Sequence, residues 1–126
     1  MADAQILVVE DNEKNMKLFR DVLHASGYRT LEATTGGRAV ELAIEHGPDL
    51  VLMDVQLPDI DGVEALRRLR SDARTASISV LALTAQAMDG DRERFLAAGF
   101  DDYISKPVNI VAFVDTVERH CAGGPR

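Results

Sequence analysis

Five polar side chains of this sequence could together bind and transfer a phosphoryl group. They are the carboxylates of Glu10, Asp11 and Asp54, the hydroxyl of Thr84 and the ammonium of Lys106. Carboxylates gathered in one place repel one another, so either one of them takes up a proton or a cation enters to neutralise them. Oxygen ligands without histidine or cysteine favour Mg²⁺, which retains waters and binds phosphate oxygens. A metal, the hydroxyl and the ammonium would then surround a phosphoryl group, and Asp54 would be the nucleophile that forms an aspartyl phosphate.

Each of these side chains ends or follows a short aliphatic segment that predicts a β-strand. The predicted strands are residues 5–9, 28–33, 50–53, 79–83 and 102–104. Apolar residues at helical spacing fill the intervals and predict five helices, the last three at 63–70, 88–98 and 110 to about 120. Strict alternation of strands and helices predicts a parallel sheet with helices on both faces, which is a doubly wound α/β fold.

The predicted sheet brings the polar side chains together, because ligands of such sheets bind at the carboxyl ends of the strands. Taken singly, each residue has an ordinary structural interpretation. An aspartate at a strand end caps a helix, and a lysine before proline lies in a solvated loop. Core packing gives no reason for four strands to place polar groups at one edge, so the set indicates a functional site.

Length and composition limit the number of domains and the classes of function that the chain can have. The chain has 126 residues, of which 46% are hydrophobic and 28% charged, and this is typical of one globular domain. We expect the domain to occupy residues 1–122 and residues 123–126 to form a short flexible tail. The formal charge of −7 disfavours nucleic-acid binding. No apolar run approaches the ~20 residues of a membrane span, and the N-terminus has no secretion signal, so a cytoplasmic location is expected.

The cysteine and the histidines add no predicted chemistry. Cys121 is interpreted as an incidental reduced thiol. His24, His46 and His120 are expected at the surface, because none follows a strand and the spacing implies no carboxylate partner for any of them.

The polar residues at the strand ends form an ordered set with their neighbours. Its members are Glu10-Asp11, Asp54, Thr84-Ala85 and Lys106-Pro107, with Pro58 and Gly62 after Asp54. This set resembles the receiver domain of bacterial two-component response regulators, and the resemblance covers nearly the whole chain. It implies a flavodoxin-like, doubly wound five-stranded parallel sheet of order 2-1-3-4-5 with five helices.

The resemblance assigns a metal site and a phosphoacceptor. It implies that Asp54 accepts a phosphoryl group from a kinase phosphohistidine, that Asp11 and Asp54 bind Mg²⁺ directly, and that Glu10 binds it through water. By the same resemblance, the backbone carbonyl of Gln56 would complete the protein ligands, and Mn²⁺ is expected to substitute for Mg²⁺. Many receivers carry methionine or another apolar residue at position 56, but a main-chain ligand tolerates this change.

The resemblance also assigns the residues that respond to phosphate. Lys106 would pair with one phosphoryl oxygen, Thr84 would donate a hydrogen bond to another, and Ala85 would leave room for the group. Pro107 would follow a cis peptide bond. Tyr103 matches the aromatic switch position of the family, and the alternative is a half-buried aromatic of the sheet.

The implied function is phosphorelay signalling by a stand-alone receiver, similar to single-domain regulators of cell division and polarity. Its partners would be a sensor histidine kinase or a histidine phosphotransfer protein and a downstream effector protein, without direct contact to nucleic acid or membrane. Slow autodephosphorylation would accompany phosphotransfer. Charged residues of the fourth helix are either partner contacts or a solvated surface. They are Asp89, Asp91, Arg92, Glu93 and Arg94.

Three other interpretations fit part of this pattern. A phosphohydrolase of the haloacid dehalogenase type needs a second aspartate two positions after the nucleophile, where Gln56 stands and cannot donate a proton in that way. A flavin-binding protein needs a phosphate-binding loop after the first strand, where Glu10 and Asp11 would repel the anion. The third is a receiver cut from a hybrid kinase, against which Met1 and the short tail weigh.

Overall fold

A five-stranded parallel β-sheet lies at the centre of the protein. The computed structural model describes residues 4–85 and 91–121. The strands are β1 Gln5–Val9, β2 Arg29–Ala33, β3 Leu50–Asp54, β4 Ser79–Thr84 and β5 Asp102–Ser105. Every neighbouring pair is parallel, and the order is β2-β1-β3-β4-β5. The predicted doubly wound α/β fold with its strand order is confirmed.

Five helices connect the strands and cover both faces of the sheet. They are α1 Glu13–Ala25, α2 Gly36–His46, α3 Gly62–Ser71, α4 Asp91–Ala98 and α5 Ile110–Cys121. Residues 88–90 of the predicted fourth helix and the predicted tail at 123–126 lie outside the described residues. Among the helices in residues 4–85 and 91–121, none combines the length and apolar character needed to span a bilayer.

The sheet separates two apolar cores. Alternate residues of β1 and β3, such as Leu7 and Val51, pack against α2, α3 and α4. Their neighbours, such as Ile6, pack against α1 and α5 on the other face. All of β3 is buried, as the continuous apolar run of a central parallel strand requires. Burial of one large aliphatic side chain stabilises the fold by about 1.5–3 kcal/mol, so these cores hold the strand ends in place.

Side chains cap the first three helices where they begin, close to the carboxyl edge of the sheet. Asn12 accepts a hydrogen bond from the amide of Asn15 at the start of α1. Thr35 caps α2 and Asp61 caps α3 in the same way. Each cap satisfies an otherwise unpaired helix amide and contributes about 1 kcal/mol. The caps fix the directions in which the chain leaves β1, β2 and the β3–α3 loop.

Three strands continue one residue beyond their predicted ends. Asp54 pairs in register with Leu83, and Thr84 pairs with Ser105. These polar residues therefore belong to the sheet ladder instead of the loops that follow. Their backbones are fixed by the regular sheet, so their side chains leave the edge at defined positions.

Candidate metal and phosphate site

The carboxyl edge of the sheet gathers three carboxylates. Glu10 and Asp11 follow β1, and Asp54 is the last residue of the adjacent strand β3. Each residue offers one carboxylate oxygen, and these three oxygens lie within 4.8 Å of one another. The structure thus brings together the acidic residues that the sequence placed at neighbouring strand ends.

The acidic cluster is buried on one side and open on the other. Glu10 is 1% exposed and Asp54 is 5% exposed. Asp11 is exposed, and it lines a groove of about 520 Å³ that extends along α1 to Glu32. A small ligand can therefore reach the carboxylates from the side of Asp11.

Lys106, which directly follows β5, contacts two of the three carboxylates. Its Nζ lies 2.9 Å from Asp54 Oδ2, to which it donates a hydrogen bond, and 2.7 Å from Glu10 Oε1. The contact with Glu10 is a short ion pair with poor direction, so this buried oxygen lacks a well-aligned hydrogen bond. The Lys106 amide donates to the carbonyl of Thr84 at 2.7 Å, and the peptide bond to Pro107 is cis.

Burial and charge shift the pKa values of this group. Burial raises the pKa of the Glu10 carboxyl, and the negative charge of Asp54 adds to this effect against the opposing influence of Lys106. Burial alone would lower the pKa of Lys106, but its close contacts with the carboxylates of Glu10 and Asp54 outweigh burial and raise it. Lys106 therefore keeps its positive charge at neutral pH. A single ammonium against three carboxylates leaves an excess of negative charge.

The donor set fits a hard divalent cation. All three members of the cluster offer carboxylate oxygens, the ligand type that Mg²⁺ prefers. The buried Glu10 oxygen without a well-aligned hydrogen bond and the excess negative charge both favour a bound cation, because uncompensated buried charge is costly. The arrangement can thus bind Mg²⁺ next to the Asp54 carboxylate.

The β3–α3 loop is held against Asp54 by its own backbone. The Gln56 amide donates to Asp54 Oδ1 at 2.9 Å, and the Gly62 amide donates to the Val55 carbonyl at 3.0 Å. A Cβ atom at Gly62 would lie only 2.6 Å from the Asp54 carbonyl oxygen. Glycine at this position allows α3 to begin directly beside the end of β3. The Gln56 side chain is exposed.

Thr84 and Tyr103 lie on the β4 and β5 side of the site. Thr84 is 3% exposed at the end of β4, while Ala85 is exposed. Tyr103 is half-buried, and the centre of its ring lies 6.0 Å from that of Phe95 on α4. This position agrees with a half-buried aromatic of the sheet. The switch role of Tyr103 stays a prediction.

The charged residues of the fourth helix are described in part. Glu93 and Arg94 are exposed. Asp89 and the side chains of Asp91 and Arg92 lie outside the described residues. Their role as partner contacts or as a solvated surface stays open.

One histidine differs from its sequence-based prediction. His24 and His46 are exposed, as expected. His120 is half-buried, and its Nε2 lies 3.2 Å from Asp102 Oδ2. The prediction of a surface position was wrong for His120, because the last turn of α5 packs beside the start of β5. Sequence spacing does not reveal this contact between residues 18 positions apart.

Two polar contacts around the site are not evident from the sequence. The Asn12 amide donates to Glu10 Oε2 at 3.2 Å. Asp59, on the β3–α3 loop, accepts hydrogen bonds from the amides of Gly36 and Gly37 at the start of α2. An aspartate between Pro58 and Ile60 indicates a turn, but its partners more than twenty residues earlier in the chain cannot be read from local sequence.

Comparisons with known proteins agree with this geometry. Residues 6–118 match the response regulator receiver domain family. The polar-differentiation response regulator DivK of Brucella ovis is 48% identical over 115 residues, which are 91% of this chain and 94% of that protein.

Two solved structures show the same fold at higher and lower sequence identity. The receiver domain of a sensor histidine kinase from Pseudomonas aeruginosa, solved with magnesium coordinated in its active-site cleft, is 36% identical with a TM-score of 0.88. That alignment covers 95% of this chain and 98% of that one. The second is a co-crystal structure of the Saccharomyces cerevisiae phosphotransfer protein Ypd1 with the receiver domain of Ssk1. The matched chain is 29% identical with a TM-score of 0.86, and the alignment covers 95% of this chain and 90% of that one.

Proposed function

Because the chain belongs to the family of response regulator receiver domains, we propose that Asp54 is the residue that accepts a phosphoryl group in a two-component phosphorelay. Proteins of this family are signalling proteins that interact with histidine kinases or phosphotransfer proteins. The observation that carries the proposal is the position of Asp54, a buried carboxylate with a lysine ammonium 2.9 Å away and two further carboxylates beside it.

The proposed reaction is an attack by an Asp54 carboxylate oxygen on the phosphorus atom of a phosphohistidine. A new oxygen–phosphorus bond forms, the phosphorus–nitrogen bond breaks, and its electron pair returns to the donor imidazole. Lys106 already lies beside Asp54 Oδ2, so its ammonium offsets negative charge on the transferred group without a large rearrangement. The Thr84 hydroxyl donates a hydrogen bond to another phosphoryl oxygen, and the small Ala85 leaves room for the group.

The carboxylates of Glu10, Asp11 and Asp54 and the carbonyl of Gln56 would hold the metal, with Glu10 acting through water. When bound, Mg²⁺ supplies positive charge that neutralises the carboxylates and the phosphoryl oxygens. Mn²⁺ is expected to substitute, because it accepts the same oxygen ligands.

Signalling would follow from a shift between two conformations. Phosphorylation adds ~1.5 to 2 negative charges at Asp54, which favours the conformation in which Thr84 lies toward the phosphate and the Tyr103 ring turns inward. The surface formed by α4, β5 and α5 would then present a changed face to an effector protein. Slow autodephosphorylation would return the protein to its first state.

The proposed protein is a cytoplasmic single-domain regulator with a receiver at 1–122 and a short tail at 123–126. The similarity to DivK supports the single-domain proposal, since the match covers 91% of this chain and 94% of that relative. A role in cell polarity or division is proposed on the same similarity.

Intact-mass measurement after incubation with acetyl phosphate and Mg²⁺ tests the phosphoacceptor. We expect one added phosphoryl group on the wild type, none after chelation of the metal and none on Asp54→Asn. Asp72→Asn is the matched control, because Asp72 follows α3 at the opposite edge of the sheet, and it should be modified like the wild type. Phosphorylation of Asp54→Asn would contradict the proposal. Continuous hydrolysis of phosphate monoesters would indicate a phosphohydrolase instead.

A further inference from the structure

The β3–α3 loop is attached to the start of α2 through Asp59. Asp59 Oδ1 accepts a hydrogen bond from the Gly36 amide at 2.8 Å, and Oδ2 accepts one from the Gly37 amide at 2.9 Å. Both amides belong to the first turn of α2, where the helix has unpaired N–H groups and partial positive charge. Hydrogen bonds to a charged acceptor are the stronger kind. The bonds from Gly37 and Gly36 also lower the pKa of Asp59 to about 2, so the carboxylate is ionised at neutral pH.

A close packing contact lies next to these hydrogen bonds. A Cβ atom at Gly36 would lie 2.5 Å from Ile60 Cγ1, so α2 approaches the loop as closely as a glycine allows. Ile60 is itself half-buried and packs against the core on this face of the sheet. Two adjacent loop residues thus fix the outer part of the loop to α2.

The same loop carries Gln56. Near the sheet, the loop is closed by the hydrogen bond from the Gly62 amide to the Val55 carbonyl. The Gln56 amide donates to Asp54 Oδ1, but this bond leaves the orientation of the following peptide group undetermined. That peptide group, with the Gln56 carbonyl, leads directly into the segment that Asp59 attaches to α2.

We propose that Asp59 is a positioning residue for the cation site, because it holds the loop in the conformation that directs the Gln56 carbonyl toward the metal. This inference rests on the proposed function, which assigns that carbonyl as a ligand. Bound Mg²⁺ must in turn stabilise the hydrogen bonds of Asp59, since coupling between two sites is reciprocal. The first turn of α2 therefore responds to occupancy of the metal site.

Asp59→Asn tests the inference with a minimal change of shape. One side of an asparagine side chain can still accept from a glycine amide, but its NH₂ group then faces the second amide, and two donors oppose each other. Asp59 is exposed, so we expect the variant to fold. Asp72→Asn is the matched control. Asp72 also accepts a backbone amide, that of Arg74 at 2.9 Å, and its pKa is likewise about 2, but it lies far from the site.

Calorimetric titration with Mg²⁺ gives the first measurement. We expect Asp59→Asn to bind Mg²⁺ about tenfold more weakly than the wild type, the lower end of the effect of residues that orient metal ligands. Asp72→Asn should bind like the wild type. At saturating Mg²⁺, Asp59→Asn should be phosphorylated by acetyl phosphate at the wild-type rate, because Asp54, Lys106 and Thr84 are unchanged.

Hydrogen exchange of the Gly36 and Gly37 amides gives a second measurement on the wild type itself. Added Mg²⁺ should slow this exchange, and the slowing should be absent in Asp59→Asn. If Mg²⁺ leaves the exchange rates of these two amides in the wild type unchanged, the inference is overturned, even if the variant fails to fold.

The remaining outcomes separate the inference from the proposed function. Unchanged Mg²⁺ affinity of Asp59→Asn, or a lower phosphorylation rate at saturating Mg²⁺, would overturn the positioning role and leave Asp54 as the phosphoacceptor. A wild type that binds no Mg²⁺, or an Asp54→Asn variant that is still phosphorylated, would overturn the proposed function and the inference with it.

Discussion

The Lys106 ammonium lies 2.9 Å from the Asp54 carboxylate, although 52 positions separate the two residues in sequence. Lys106 also contacts Glu10, so it links side chains carried by β1, β3 and the end of β5. It therefore offsets part of the repulsion within the acidic cluster and stands beside the proposed phosphoacceptor.

Replacement of this lysine should separate its structural and chemical roles. Lys106→Met leaves the buried carboxylates of Glu10 and Asp54 without their cation, and we expect a loss of roughly 2 kcal/mol in the free energy of unfolding in EDTA. Mg²⁺ should restore part of this loss, because it offsets the same negative charge. Phosphorylation by acetyl phosphate should slow by about 100-fold. Urea unfolding with EDTA and with Mg²⁺ provides the check, and equal losses in both would count against the metal site.

Gly62 should tolerate no side chain. Gly62→Ala would place a Cβ atom 2.6 Å from the Asp54 carbonyl oxygen, and this backbone contact cannot be relieved by a side-chain rotation. We expect a loss of about 1–3 kcal/mol in unfolding free energy and slower phosphorylation, because Asp54 itself must shift. The neighbouring Val63 is 43% exposed, so Val63→Ala is the control and should behave nearly as the wild type in both assays. Equal stability of the two variants would refute the close approach.

The stacked rings of Phe19 and Phe113 should be a major source of stability. Their centres lie 5.3 Å apart, both are 1% exposed, and they join α1 to α5. Phe113→Ala should cost about 3–5 kcal/mol, and Phe113→Leu should cost less because most of the volume is retained. Thermal and urea unfolding measure both. A cost of Phe113→Ala below that of Phe113→Leu would contradict the packing described.

Glu64 should make stability depend on acid pH. Hydrogen bonds from Arg67 and Arg68 lower the pKa of its carboxyl from 4.5 to about 2. Because the folded-state pKa is the lower one, the stabilisation is fully present above about pH 4.5 and is lost as the pH falls toward 2. Glu64→Gln should therefore reduce the unfolding free energy at pH 7 and flatten its pH dependence in the acid range. Parallel curves for the variant and the wild type, measured by urea unfolding across this range, would rule out that role for Glu64.

Local sequence predicted the sheet and the grouping of the acidic residues, because both follow from alternation. The apolar run of β3 marks the central strand, and the shared direction of the strands brings Glu10 and Asp54 to one edge. The exact ends of the strands were predicted less accurately. Asp54 and Thr84 are polar, but the ladder extends through them.

Contacts between distant loops could not be predicted in this way. The hydrogen bonds of Asp59 with α2 and the pairing of His120 with Asp102 depend on how helices pack against the sheet. These contacts do not follow helical or strand spacing, so periodicity carries no information about them. The approach of Lys106 to the carboxylates was predicted from its position after the last strand, but the sequence did not show that it bonds to Asp54 with good direction and contacts Glu10 with poor direction.

The distribution of the site along the chain has a consequence for protein synthesis. The carboxylates come from β1 and β3, while the lysine follows β5. A nascent polypeptide that has not yet released β5 from the ribosome lacks the ammonium that Lys106 places beside Asp54. Such a chain should react with phosphodonors far more slowly than the finished protein, so translation would deliver a competent acceptor only after the final strand has been added to the sheet.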